Sequence, residues 1–437
     1  MDARNRIYEA YRSGASICTD TRKITKGCIF FALKGDNFNG NMFAQQALES
    51  GASLVVVDEN LSTPNCQTVL VENVLVCLQE LALHHRKNLK MPVVAITGSN
   101  GKTTTKELVS RVLSKKYRTI YTQGNLNNHI GVPLSLLTVR SEHEIAVIEM
   151  GANHRHEIAF LCSLALPTHV LITNVGMAHL EGFGGFEGVK MGKGEMYTYA
   201  KSNDALVFLN SDNTHLVKML GGHDRVFSYG TTESCELIGK PDQWSKYAAL
   251  QWRSKSMNEW RPLETKITGA YNFENIMAAI AVGVHFGVDA NDIDEAINTY
   301  IPDNQRSQEI RFADTMVILD AYNANPTSME AAIINFQSKV EGEKMIFLGQ
   351  MLELGDTAAQ EHERILKLAL KTTANHVVAV GNNFSDMSHL IQDQRVTYLN
   401  DSLAAAVWLK KMLPKKCAIL IKGSRGSKME LVLEAFK

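Results

Sequence analysis

The chain has almost no net charge: 45 Lys and Arg stand against 46 Asp and Glu, leaving a formal charge of -1. A balance this even gives no reason to expect a nucleic-acid or acidic-membrane surface. The densest basic cluster, KKMLPKK at 410–416, reads as a solvated face. No apolar run approaches the roughly 18 residues that would span a bilayer, so no membrane insertion is expected. The first residues, MDARNRIYEAYRSG, are polar and charged, unlike a secretory signal. The seven cysteines, Cys18, Cys28, Cys66, Cys77, Cys162, Cys235 and Cys417, form no CxxC pair and keep no regular spacing. Buried, reduced thiols are therefore expected, as in a reducing compartment. Low-complexity segments and internal repeats are also absent. The expectation is a cytoplasmic, soluble, multidomain protein; a monomer is expected too, though composition does not decide it. Its 437 residues are 45% hydrophobic and 21% charged, enough for two to four domains of roughly 100–200 residues each.

The expected fold is α/β with three domains. Residues 1–88 alternate short β-like runs (28–33, 53–58 and 67–71) with helical pieces, and form a small α/β domain. A charged helical stretch from Glu80 to Leu89 is broken at Met91-Pro92. From 89 to 302, apolar runs at 93–96, 144–150, 168–175, 204–210 and 225–230 alternate with helix-like segments. That pattern implies a mainly parallel sheet covered by helices. Residues 230–268 carry three tryptophans and no long apolar run, which suggests a small antiparallel excursion. Tyr271 to Gly287 is apolar at helical spacing. From 303 to 437 the alternation restarts, with strands at 316–320, 344–349, 376–381 and 417–423. Helices are expected at 326–338, 357–373 and 401–413, with another at the end, in a doubly wound, Rossmann-like arrangement.

The most informative stretch is VVAITGSNGKTTTKE, 93–107. An apolar strand runs into Gly98-Ser99-Asn100-Gly101-Lys102-Thr103-Thr104 and then into a helix. Unpaired N–H donors at the positive end of a helix dipole favour an anion there. Lys102 is placed for β- and γ-phosphates and Thr103 for magnesium. The general phosphate-loop pattern wants a glycine at position 96, where Ile96 stands, so this is a short TGxxGKT variant.

Other polar groups sit where strands end. Glu149 closes EIAVIEM and suits magnesium, directly or through water; a solvent-facing acid is the plainer reading of such a residue in isolation. His179 follows the next strand, after a glycine turn. Lys190 and Lys193 lie in GVKMGKGEMY, on a helix where a solvated face is the default. A lysine facing a metal site would repel it as an ammonium; carbamylation resolves that conflict by making an anionic oxygen ligand. Asn272 and Asn275 share one helical face, where they can cap, read a base edge or support a loop. Arg306 suits phosphate oxygens and Asp320 ribose hydroxyls. The turn chemistry of Asn325-Pro326-Thr327-Ser328 needs no function to explain it.

Taken in order, CTDTRKITKGCIFFALKGDNFNG, TGSNGKTT, IEMGANH, TNVGMAHLEGFG, the MGKGE lysine, GAYNFEN, LDAYNANPTSM, LGQMLELGD and IKGSRG resemble the Mur ligases over essentially the whole chain. The resemblance implies an N-terminal domain holding the UDP part of a substrate, with Thr21 and Arg22 in contact. It also implies a central ATPase domain, and a C-terminal domain that closes over ATP. Lys102 would contact the ATP phosphates, with Thr103 and Glu149 on one Mg2+ ion and His179 and carbamylated Lys193 on a second. Asn272 and Asn275 would lie near adenine, Arg306 on phosphate and Asp320 on ribose. Asn125, Asn127, Asn128, Tyr322, Asn323 and Asn325 would line the substrate cleft. The implied substrates are UDP-N-acetylmuramoyl-tripeptide and D-alanyl-D-alanine, joined through an acyl phosphate.

Two departures stand out. Arg155-His156 precede Glu157 where the family usually has a small glycine, and Asn39-Gly40-Asn41 replaces its Asp-Gly-His. The second puts the uridine-side contacts in question. The rival readings are a sister ligase adding a single amino acid, a folate-polyglutamate-type ligase, and an inactive nucleotide-binding regulatory protein. The first usually carries Asn-Pro-Arg where this chain has Asn325-Pro326-Thr327. The second does not explain the Thr21-Arg22 domain, and the third does not explain an intact Lys102, Thr103, Glu149, His179 and Lys193.

Overall fold

A computed structural model of the chain describes residues 3–60, 66–242, 247–269, 271–302, 305–339, 342–412, 414 and 416–437. Trp244, Ala270, and Leu413 and Lys415 of the basic cluster lie outside them. The chain forms two compact units, Met1–Ala95 with Tyr117–Gly151 and Glu157–His169, and Ile96–Lys116 with Ala152–His156 and Val170–Lys437.

In the first unit four parallel strands stand in the order Ile17–Cys18, Ile29–Phe31, Leu54–Val57, Thr68–Leu70. The inner strands are buried on both faces, and so read as unbroken apolar runs rather than alternating ones. Cys28, Phe30, Ala44, Ala47 and Val55 form the core beneath them. The larger of these, Phe30 and Val55, each contribute about 1.5–3 kcal/mol on leaving water. Helix Val74–Lys87 begins one and a half turns before the expected Glu80, because the Asn73 side chain accepts from Val76 N and starts it there. Near its end Arg86 is buried and donates to Ala165 O at 2.7 Å and Leu166 O at 2.9 Å. Strands Thr119–Tyr121 and Ile145–Glu149 pair in parallel in the same unit. Six cysteines are buried as expected, but Cys66 is exposed, beyond the end of the packed core.

The second unit contains a run of strands in the order Arg261–Glu264, Ala249–Ser254, Leu237–Asp242, Val226–Gly230, Leu206–Asn210, His169–Ile172. The expected excursion is present: the 237–264 strands are antiparallel to one another, and Trp252 is fully buried among them. Helix Asn272–His285 falls where the apolar spacing put it, and helix Phe186–Ser202 carries Lys190 and Lys193 as expected.

Farther along, six strands stand in the order Gln308–Phe312, Thr315–Asp320, Ala418–Lys422, Lys344–Gly349, His376–Val380, Val396–Leu399. All pairs are parallel except the first, a hairpin turning through Ala313 and Asp314. Two of these strands, Gln308–Phe312 and Val396–Leu399, were not expected; both are edge strands, half-buried and without an apolar run. The final segment Met429–Phe436 winds as a 3-10 helix rather than an α-helix. It places Met429, Val432 and Ala435 in a core shared with Val317, Phe347, Ile419 and Leu409.

Candidate active site

The loop after strand Val93–Thr97 is shaped by glycine. Gly98 and Gly101 have φ of 147° and 79°, a region where L side chains are strained. A Cβ on Gly98 would collide with the Thr173 hydroxyl, and one on Gly101 with the Asn275 side-chain oxygen. Helix Lys102–Ser114 starts directly after Gly101, so its first backbone donors face the loop.

The loop is clamped by the next strand end. Ser99 N donates to Asn174 O (3.0 Å), Asn100 N to Asn174 Oδ1 (3.0 Å), Thr173 Oγ1 to Asn100 O (2.6 Å) and Gly176 N to Ser99 Oγ (2.9 Å). Lys102 Nζ reaches over it to Gly98 O at 2.6 Å and Ser99 O at 3.2 Å. Thr103 is buried and Thr104 half-buried on the first helical turn. Asn272 and Asn275 do not present open amides. They are buried and bonded to each other at 2.7 Å, and Thr105 Oγ1 donates to Asn275 Oδ1 at 3.1 Å. Of the three roles open to this pair, support of the glycine loop is the one these contacts describe.

The C-terminal strand ends meet the same loop. Asn325 Nδ2 donates to Asn100 Oδ1 at 2.7 Å, and Met177 N to Thr327 Oγ1 at 3.3 Å. The carboxylate of Asp320 is held by Lys422 Nζ at 2.6 Å, a lysine 2% exposed that also donates to Asn323 O. Sequence reasoning missed this partner: only the parallel register Asp320↔Lys422 brings it there. Arg306 stacks over the Tyr322 ring at 4.0 Å, and Arg425 lies 5.4 Å from the same ring. Arg306 Nε is buried with no hydrogen-bond partner among the described residues.

His179 begins the short helix Leu180–Phe183 in a left-handed conformation, φ 54°. Its Nδ1 contacts Glu353 Oε2, a residue the sequence did not single out. That hydrogen bond first, against partial burial, lowers the Glu353 carboxyl below its ordinary value. Lys193 lies on helix Phe186–Ser202 at 1% exposure. Its Nζ donates to Ala152 O at 3.2 Å and stands 5.3 Å from the centre of the Phe183 ring. Lys190, one turn earlier, pairs instead with Glu187 at 2.5 Å on the helix surface, the ordinary solvated arrangement.

In the first unit, Glu149 is 1% exposed at its strand end. Its Oε1 accepts from Asn127 Nδ2 at 2.8 Å, and its N–H donates to Thr122 Oγ1 at 3.0 Å. Asn128 Oδ1 receives Ile130 N and Gly131 N, shaping the turn into helix Gly131–Leu137, and Asn125 is exposed. Arg22 is 86% exposed and folds on Asp20 through Nε (2.9 Å) and Nη2 (2.8 Å). Those bonds hold the Asp20 carboxyl at about 2. Thr21 opens the same 3-10 turn. The departure at Asn39-Gly40-Asn41 is a packed feature. Asn41 is buried, donating to Asn39 Oδ1 (2.9 Å) and Asp58 Oδ1 (2.8 Å), and Lys34 bridges Asp58 and Glu59.

Among the described residues no cluster of three or more His, Cys, Asp or Glu forms a ready-made metal cage. Thr103 carries a buried hydroxyl in the second unit and Glu149 a buried carboxylate in the first, each a hard oxygen donor. His179 has its Nδ1 engaged by Glu353.

Three family models match in chain order: the catalytic domain of the Mur ligase family over 15–95, the Mur ligase middle domain over 96–283, and the Mur ligase glutamate ligase domain over 305–425. The UDP-N-acetylmuramoyl-tripeptide–D-alanyl-D-alanine ligase of Bacillus subtilis (strain 168) is 34% identical over 427 residues, covering 96% of this chain and 92% of that protein. The structure of MurF from Acinetobacter baumannii superposes with a TM-score of 0.86 at 28% identity, covering 99% of this chain and 98% of the other. The MurF ligase of Thermotoga maritima, solved in complex with ADP, gives 0.83 at 27% identity and 97% of each chain. The fold is thus α/β with three Mur ligase domains, and the chain belongs to the Mur ligase family.

Proposed function

We propose that this protein joins D-alanyl-D-alanine to UDP-N-acetylmuramoyl-tripeptide, with ATP consumed through an acyl phosphate, in cytoplasmic synthesis of a peptidoglycan precursor. The observation that carries the reading is the Gly98–Thr104 loop. It has the shape of a phosphate cradle, and the C-terminal strand end touches it through Asn325. Relatives matched over more than nine-tenths of both chains carry the same name.

A peptide carboxylate is a poor electrophile, so ATP first phosphorylates it. The amine of the dipeptide attacks the acyl phosphate, and phosphate leaves from a tetrahedral intermediate. No side chain acts as nucleophile. Lys102 and the N-terminal amides of helix Lys102–Ser114 offset the charge that develops on the transferred group. Domain closure keeps water from the acyl phosphate. The division of labour follows 1–88 for the UDP substrate, through Thr21 and Arg22, 89–302 for ATP, and 303–437 for the dipeptide. Asn125, Asn127, Asn128, Tyr322, Asn323 and Asn325 line the cleft.

Two Mg2+ ions complete the proposal, with Thr103, Glu149, His179 and Lys193 as the residues that would hold them; when bound they would supply positive charge to the phosphate oxygens. Lys193 is 1% exposed on its helix, and in carbamylated form it would offer anionic oxygen to the second ion. Arg306 binds phosphate. Asp320 holds ribose hydroxyls with its free oxygen capacity while Lys422 fixes its rotamer.

Phosphate release with ATP, magnesium and UDP-N-acetylmuramoyl-tripeptide tests the reading. Release should depend on D-alanyl-D-alanine and be weak with single amino acids; release indifferent to the dipeptide would sink the assignment. For the carbamate, small carboxylic acids should restore activity to Lys193→Ala, and a variant as active as wild type would rule it out.

A further inference from the structure

We propose that Glu353 is a positioning residue for His179, holding one tautomer so that Nε2 faces the phosphate site; this rests on His179 being a site residue, as argued above. The two are 174 positions apart in the chain, yet Nδ1 of one meets Oε2 of the other. Both take left-handed backbone conformations without being glycine, φ 54° and 60°. Such a conformation costs an L residue roughly 1–2 kcal/mol, so the surroundings must hold each of them. At Glu353 the surroundings are visible. Glu181 N donates to Glu353 O at 3.3 Å, which ties the loop to the helix His179 begins. On the other side Met351 N donates to His362 Nε2 at 3.0 Å, and His362 Nδ1 donates to Ala358 O at 2.7 Å. His362 is fully buried; its two bonds allow only the form with the proton on Nδ1. The loop is therefore fixed at Met351 by one histidine, and orients a second histidine through Glu353.

The consequence for His179 is chemical. A carboxylate on Nδ1 requires the proton there, which leaves the Nε2 lone pair to accept a cation or a hydrogen bond. The carboxylate comes from the segment that follows strand Lys344–Gly349, the same sheet that delivers Asn325 to the phosphate loop. His179 is thus set for ligation only when this segment is docked on helix Leu180–Phe183. The run LGQMLELGD, which in sequence only helped to carry the family resemblance, acquires a physical task.

The full-length protein with 15N-labelled histidine tests this, as wild type, Glu353→Ala, Glu353→Gln and His179→Ala, at pH 8 and with Mn2+ as the metal probe. In wild type the His179 spectrum should show a protonated Nδ1 and an unprotonated Nε2 before any metal is added. Glu353→Ala should lose that pattern, bind Mn2+ about 10–100-fold more weakly and lose a similar factor in kcat, with KM for the UDP substrate unchanged. Glu353→Gln, whose amide oxygen accepts the same N–H, should stay within several-fold of wild type. A wild-type nitrogen pattern in Glu353→Ala overturns the proposal, as does an equal loss of kcat and melting temperature in both Glu353 variants. His179→Ala separates the two layers. If it is inactive while Glu353→Ala is normal, only the positioning role fails; if it is fully active, the placement of His179 in the site fails as well.

Discussion

Two loops of the second unit do comparable work by opposite means. The Gly98–Thr104 loop presents backbone, and it is built from residues that permit its shape: two glycines at positive φ, each in close approach to a neighbour. The Met351–Thr357 loop presents a side chain, and its central Glu353 sits at positive φ with no such permission. The first is shaped by its own sequence and then clamped by Thr173, Asn174 and Gly176; the second has Gly355 at positive φ and a local bond from Thr357 to Leu354 O, but its Met351 and Glu353 are held by His179, Glu181 and His362, which lie elsewhere in the chain. A loop that offers amides to a phosphate can be written locally. A loop that aims one carboxylate has to be imposed from outside.

The largest effect should come from the lysine that follows the backbone loop. Lys102→Ala should lower ligation at least about 100-fold while UDP-substrate binding, measured by calorimetry, stays nearly intact; joint loss would blur the division between nucleotide and uridine roles. Next, Gly101→Ala should cost about 3 kcal/mol in urea unfolding, from left-handed strain plus overpacking against Asn275. Little change would mean the loop tolerates side chains as the other does. At the imposed loop, Glu353→Gly should be more stable than Glu353→Ala by about 1 kcal/mol, because glycine relieves the positive φ. Equal stability would show that the conformation is not strained.

The smallest effect is a pH dependence. Burial, outweighing the bond to Ala358 O and the charge of Glu361, lowers the His362 value below its ordinary 6.5. Above that value the ring is neutral whether the chain is folded or not, and the Met351 bond contributes in full. As pH falls below it the unfolded chain binds a proton that the folded ring resists, so stability falls until the folded value is passed. His85 and His285 are also lowered by burial, so the contribution is read as the difference between wild type and His362→Gln in melting temperature across pH 7.5 to 5. Identical slopes would remove His362 as the loop's anchor.

The same contrast explains what could be read in advance. Strands 93–97, 344–349 and 418–422 are buried along their whole length and announce themselves as apolar runs. The helix Asn272–His285 was legible from its apolar spacing. The edge strands Gln308–Phe312 and Val396–Leu399 are half-wet, carry no such run, and passed unnoticed. The polar set was legible as residues but not as partnerships. That Asn272 and Asn275 bond to each other and brace Gly101, that Asp320 is paired to Lys422, and that Glu353 meets His179 are facts of register and docking. No local pattern encodes them, because each partner lies on another element. Cys66 shows the converse error: composition favours buried thiols, and one position escaped it.

The strand order of the C-terminal sheet also bears on how it is assembled. Thr315–Asp320 closes a hairpin with its neighbour Gln308–Phe312 across the two residues Ala313 and Asp314, whereas its other edge joins Ala418–Lys422, with 102 positions between Asp320 and Lys422. Loop-closure entropy makes the second joining more costly by about 3 kcal/mol. Yet Ala418–Lys422 stands in the middle of the sheet, between Thr315–Asp320 and Lys344–Gly349, and follows every other strand of that sheet along the chain. Until it slides into place the two halves have no common neighbour and Asp320 has no cation. The acid assigned to the ribose thus acquires its fixed orientation in the same event that seals the sheet.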